Sequence, residues 1–210
     1  MVPATFIRLA LCATVAIAPT SPLVAQATKQ AATKQAATKQ AATKQAAATK
    51  PDASAGTPLA TMVVDWERQK KNVLAYIAVM PDSAMTFAPT PGVRTFAQQV
   101  EHFVGTNTEI AAVVLRGLKR PPTLGDTAQY LHKKAALTDF TTKSYDYLLE
   151  ALRSATPAQL AKSHTLFNQP AAPGWRWLEL SREHATWTFG QLIPYLRLNK
   201  VTPPPYDMPF

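Results

Sequence analysis

Between Leu59 and Leu198 the apolar residues return every three or four positions, and no stretch alternates with a period of two. A 3.6-residue period collects such residues on one helix face, whereas a half-buried strand needs strict alternation. Leu59, Val63, Trp66, Val73, Ile77 and Met80 mark a first amphipathic helix, with a gap at Lys70 and a stop at Pro81. Residues 81–92 (PDSAMTFAPTPG) read as a proline-rich loop. Phe96, Val100, Phe103, Ile110 and Val114 mark a second helix ending near Gly117. A third runs from about Leu131 to Leu152, with Leu137, Phe140, Ser144, Tyr147 and Ala151 on one face. Thr156 before Pro157 pairs an N-cap with a first-turn proline, so a short helix starts there. Residues 168–174 read as a loop, and a last helix starts near Trp175 and ends before Thr202 and the prolines at 203–205. Pro194 falls inside that helix. It has no N–H for the carbonyl of Gly190, which predicts a kink. Four main helices and no credible strand predict an all-α fold, a four-helix bundle.

The N-terminal quarter reads differently. Residues 1–27 have the pattern of a signal peptide: Arg8, an apolar run at 9–18 (LALCATVAIA), then Ala25-Gln26-Ala27 as a cleavage site. The apolar run is too short to span a bilayer, which takes about 20 residues. Cys12, the single cysteine, sits inside it. A chain cut after Ala27 therefore has no thiol, which excludes disulfides, thiolate ligands and cysteine nucleophiles, and is expected to be secreted or periplasmic. Residues 28–47 are four copies of TKQAA. A five-residue repeat advances about 140° on a helix, so no apolar stripe forms and no core can be buried. With PDASAGTP at 51–58, this makes 28–58 a low-complexity spacer. Residues 59–210 remain as the folding domain, long enough for a sizeable core.

The net charge of +9 is concentrated in the spacer. Five lysines lie in residues 28–50 without an acid, while from Pro51 onward sixteen Lys and Arg face thirteen Asp and Glu. The domain is only mildly basic, and the lysine repeat has no aromatic residue to stack on a base, so a nucleic-acid partner is not expected. The lysine-rich spacer suits contact with anionic polymers of the cell envelope.

Three segments together resemble the DinB family. They are Trp66 to Met80 (WERQKKNVLAYIAVM), Val93 to His102 (VRTFAQQVEH) and Glu183 to Asn199 (EHATWTFGQLIPYLRLN). The second is similar to the family's R-S/T-F…Q-x-x-H start of helix two, and the third to its H-x-x-x-H-x-G-Q-L-x-x-Y-L-R ending. The resemblance implies a four-helix bundle. It also implies kinship with metal-dependent thiol-transferases and isomerases, and with members of no known activity. In the family, one histidine of helix two and two of the last helix commonly hold a divalent metal. Carried over, these are His102 and His184, while the third position falls on Thr188.

Three neutral imidazoles with an open coordination position can hold zinc or nickel beside a water or substrate. A threonine hydroxyl is a poor ligand for such a metal, so the set is incomplete. Glu101, Glu109 and Glu183 are the carboxylates near enough in sequence to replace it. Trp177, Leu180, Trp187, Gln191, Tyr195 and Leu198 share a stripe with His184, which predicts that His184 and Thr188 face the interior. His102 falls at the edge of the helix-two stripe. His132 and His164 read as surface or loop residues, Arg197 as a salt-bridge or anion partner, and Gly190 as a point of close helix approach. Two functions stay open. One is an exported metal-dependent enzyme of hydrolase or thiol-transferase type acting on a small molecule. The other is a non-catalytic binding or envelope module in which His102 and His184 are buried, hydrogen-bonded remnants of a lost site. A homodimer is compatible with either.

Overall fold

A computed structural model of the chain describes residues 58–208. The signal-peptide reading and almost all of the spacer lie outside them. Helix α1 (Pro58–Val79) starts one residue before the expected boundary and buries Trp66, Gln69, Asn72, Val73, Tyr76 and Ile77 along one face. The gap in its stripe at Lys70 is filled by an ion pair with Asp146 at 2.6 Å. Pro81 ends it, and the loop beyond contains a single 3₁₀ turn at Asp82–Ala84.

Helix α2 (Phe96–Ile110) opens with a capping box, in which Thr95 accepts from Gln98 N and Gln98 accepts from Thr95 N. It widens into a π turn at Ala111–Leu115. Gly117 then adopts φ +64° and Leu118 N donates to Ala112 O at 2.9 Å, a glycine stop one residue wider than a Schellman motif, as the π turn requires. The third expected helix is α4 (Lys134–Arg153), which starts three residues later than Leu131 and is preceded by a one-turn α3 (Thr127–Tyr130) capped by Asp126. A second capping box at Thr156 and Gln159 starts α5 (Pro157–Ala161). Where only a loop was expected, β1 (Ser163–His164) and β2 (Ala172–Pro173) pair antiparallel, the one strand pair among the described residues. Two-residue strands carry too little alternation to be read from sequence.

The last helix is split into α6 (Gly174–Gly190) and α7 (Leu192–Leu198). The break at Gln191 is what Pro194 predicts, because its nitrogen leaves the Gly190 carbonyl unpaired. α1 packs on α4, and α2 packs on both α4 and α6. Tyr76 on α1 meets Phe189 on α6 with ring centroids 4.6 Å apart, which joins the remaining pair of long helices. The core runs through Trp66, Ile77, Phe96, Phe103, Leu137, Leu148, Leu152 and Leu178. Each large side chain fully removed from water contributes roughly 1.5–3 kcal/mol before entropy is subtracted. The C-terminal residues return along α1: Arg68 donates to Tyr206 Oη at 2.7 Å, and Asp207 N donates to Asn72 Oδ1 at 3.0 Å. That bond satisfies the buried Asn72. No described helix is long and apolar enough to cross a membrane.

Candidate functional site: an imidazole pair between two helices

His102 and His184 converge. α2 and α6 pack side by side, and the two Nε2 atoms lie 3.2 Å apart, the rings nearly perpendicular at 81°. Both side chains are half-buried. Burial lowers the pKa of each below the ordinary imidazole value, and the charge of Arg94 lowers both further. His102 also feels His184. Both rings therefore stay neutral into mildly acidic solution, the form a metal or a proton donor needs.

His184 Nδ1 is buried with no hydrogen-bond partner among the described residues. An unpaired buried N–H costs more than an unpaired lone pair. We therefore assign the proton of His184 to Nε2, donating to His102 Nε2, and the proton of His102 to Nδ1. Beside the pair opens a cleft of about 220 Å³, lined by Thr106, Ile110, Phe167 and Leu180. Phe167 reaches it from the turn between β1 and β2, where Phe167 and Asn168 both hold positive φ, +53° and +57°. For a bulky residue such a φ is strained.

The expected stripe on the last helix holds at Trp177 and Tyr195, which are buried, but is out of phase between them and at Leu198. Trp187 is 72 % exposed, Leu198 56 % and Leu180 39 %, and Gln191 is exposed too. The buried face carries Leu178, Ser181, Ala185, Thr188 and Phe189. Size and hydropathy misled the phasing, because the inward positions next to α2 are small and polar: Ser181 Oγ donates to Asn107 Oδ1 at 2.8 Å. Thr188 does face inward, at 3 % exposure, whereas His184 sits at the edge of that face. Gly190 makes no close approach, since an added Cβ would meet nothing within 4 Å. Gly174 does, with Gln159 O and Val114 Cγ1 both 2.8 Å from such a Cβ.

No three His, Cys, Asp or Glu side chains come together among the described residues. Glu101 lines a different cleft with Tyr130 and Phe140, and Glu183 lies in an outer groove with Arg176 and Trp187. Neither these nor Glu109 completes the pair. His132 is exposed, and His164 is half-buried in β1. Arg197 makes no ion pair among the described residues. Thr106, Ile110 and Phe167 are site residues the sequence did not mark. The first two follow His102 at helical spacing, a usable signal, but only tertiary folding brings in Phe167.

The DinB superfamily model matches residues 65–194, more than half of the sequence and all of the site. The chain belongs to the DinB superfamily. Two crystal structures of DinB-like proteins share its fold. The one from Bacillus subtilis has a TM-score of 0.58 at 18 % identity, over 70 % of this chain and 98 % of its own. The one from Bacillus cereus has a TM-score of 0.57 at 20 % identity, over 70 % and 95 %. No curated protein matches in sequence. In this DinB-superfamily chain the helix-two histidine and the first histidine of the last helix are both present and adjacent, and the following turn of α6 carries Thr188.

Proposed function

We propose that His102 and His184 are two ligands of a divalent-metal site, zinc or nickel, in an exported, four-helix-bundle enzyme of hydrolase or transferase type. The observation that carries this is the Nε2–Nε2 separation of 3.2 Å. Two imidazoles bound to one tetrahedral zinc at about 2.0–2.1 Å hold their nitrogens about 3.3 Å apart. When bound, the metal supplies a Lewis acid and an activated water. The residues themselves supply neutral rings and an apolar cleft of about 220 Å³ for a small-molecule substrate.

Binding is expected to be weak, for two reasons. The set has only two imidazoles, and ligation through Nε2 moves the His184 proton to Nδ1, which has no partner. Leaving such a donor buried costs about 1–3 kcal/mol. A second reading, a non-catalytic bundle with a decayed site, is favoured by the buried Thr188 at the third position and by the lack of a third ligand among the described residues.

Zinc titration of wild type and Thr188→His separates the two readings. On the metal reading the wild type binds zinc measurably through both histidines, and His102→Ala abolishes it. Thr188→His then raises affinity by more than tenfold, about 1.4 kcal/mol, net of overpacking that costs about 1–3 kcal/mol of fold stability. Absence of zinc binding in the wild type overturns the metal reading: a gain in Thr188→His alone then marks a decayed site, and no gain in either shows that the two histidines do not hold a metal together.

A further inference from the structure

The seam between α2 and α6 continues past the histidines. Three residues before His102, the buried Gln99 donates through Nε2 to Gln191 Oε1 at 2.8 Å. The Nε2 of Gln191, on an exposed side chain, is left to donate elsewhere. Next along the seam, the carbonyl of Arg94 accepts from Tyr195 Oη at 2.8 Å. Tyr195 is itself fixed edge-on by Phe87 and Phe96. The backbone of Arg94 is thus clamped to α7, while its side chain is exposed. Among the described residues Arg94 forms no ion pair. Glu101 feels its charge but does not pair with it. Arg94, Gln99, Gln191, Pro194 and Tyr195 line a second cleft, of about 640 Å³.

Read in order, the seam offers an apolar cleft, two imidazoles, a pair of amides and a guanidinium. From Phe96, where α2 begins, the helix rises about 9 Å to His102 and about 21 Å to Ile110 at its far end, a span that the long Arg94 side chain and a small molecule cover together. A guanidinium presents a planar fork of donors that fits a carboxylate or phosphate. The Gln191 amide adds a donor of the same polarity. The charge of Arg94 also acts to lower the pKa of both imidazoles and of Tyr195, after burial in the case of the imidazoles and against it in the case of Tyr195.

We propose that this seam binds an amphiphilic small molecule. Its apolar body lies against Ile110, Phe167 and Leu180, its carboxylate or phosphate is held by Arg94 and Gln191, and its middle lies beside His102 and His184. The proposal rests on the imidazole pair being the functional site, and it names the substrate class for that site.

The test uses the full chain without added metal. The probes are 4-phenylbutanoate, 2-phenylethyl phosphate and the neutral 4-phenylbutanamide, followed by calorimetry and by the ring carbon–proton NMR signals of His102 and His184. At least one anionic probe is expected to bind tenfold or more tighter than the amide and to shift both ring signals. Whichever anion binds tighter identifies the group held. Arg94→Gln is expected to remove the anion preference while amide binding and melting temperature stay unchanged. Equal affinity for anion and amide, a preference that survives Arg94→Gln, or ring signals that stay still would each overturn the proposal. A parallel zinc titration of the wild type keeps the two ideas apart. Anion preference without zinc binding supports the subsite and removes the metal reading, whereas zinc binding without anion preference does the reverse.

Discussion

An added proton on His102 or His184 meets a half-buried site next to the charge of Arg94, and folding registers the cost. Burial first, and Arg94 second, put both pKa values below the 6.5 of a free imidazole. His164 is lowered as well, by burial and then by Lys162. Between the folded and unfolded pKa values the unfolded chain binds more protons, so stability rises with pH in that window. It is fully present above 6.5 and is lost as pH falls through the folded values. Glu101 acts in the opposite sense, since burial raises its pKa from 4.5, so the histidine contribution is read from the difference between wild type and a histidine variant that keeps Glu101. Melting of the metal-free protein is expected to stay level from pH 7.5 to about 6.5 and to weaken from there to 5.5. A His102→Gln/His184→Gln variant should show a flatter profile, and an equally steep one would mean that the pair carries none of the effect. The two histidines were legible because they lie in motif positions. Their tautomers were not, because His184 Nδ1 lacks a partner for reasons of packing.

Among the elements, two glycines at opposite ends of α6 do different work. At Gly174 an added Cβ falls 2.8 Å from the carbonyl of Gln159 and from Val114, so α6 begins where α5 and the π turn leave no room. Gly174→Ala is expected to cost about 1–3 kcal/mol by forcing these segments apart. At Gly190 nothing lies within 4 Å and φ is not positive. Gly190→Ala is expected to stabilise by about 0.4–1 kcal/mol, through a less flexible unfolded chain. Urea midpoints check both, and a loss at position 190 as large as that at 174 would contradict this account. The sequence placed most helix limits well, because capping residues, Pro81 and Gly117 act locally. It placed Trp177 and Tyr195 of the last helix inward correctly but misphased the stretch between them, because the interior positions there are Ser181, Ala185 and Thr188, while the exposed face carries Trp187 and, further on, Leu198.

For the whole molecule, the reading of the N-terminal quarter stands on sequence alone. On the proposed export, protein recovered from cells starts at Thr28 and contains no thiol. N-terminal sequencing checks this, and an intact Met1 on protein confined to the cytoplasm would exclude export. The TKQAA copies have no apolar face, so removing residues 28–50 is expected to change stability by less than about 0.5 kcal/mol.

Sequence by itself determined the predominantly helical character of the domain and most of its helix limits, and it singled out the two histidines, because periodicity, capping and motif spacing are local properties of the chain. Tertiary structure alone decided that His102 and His184 meet at 3.2 Å, that Phe167 closes their cleft, and that Arg94 is anchored by Tyr195 from the last helix. These contacts join residues far apart in the chain. Their geometry depends on how α6 is rotated against α2, and that rotation is set by small and polar side chains whose hydropathy gives no sign of facing inward.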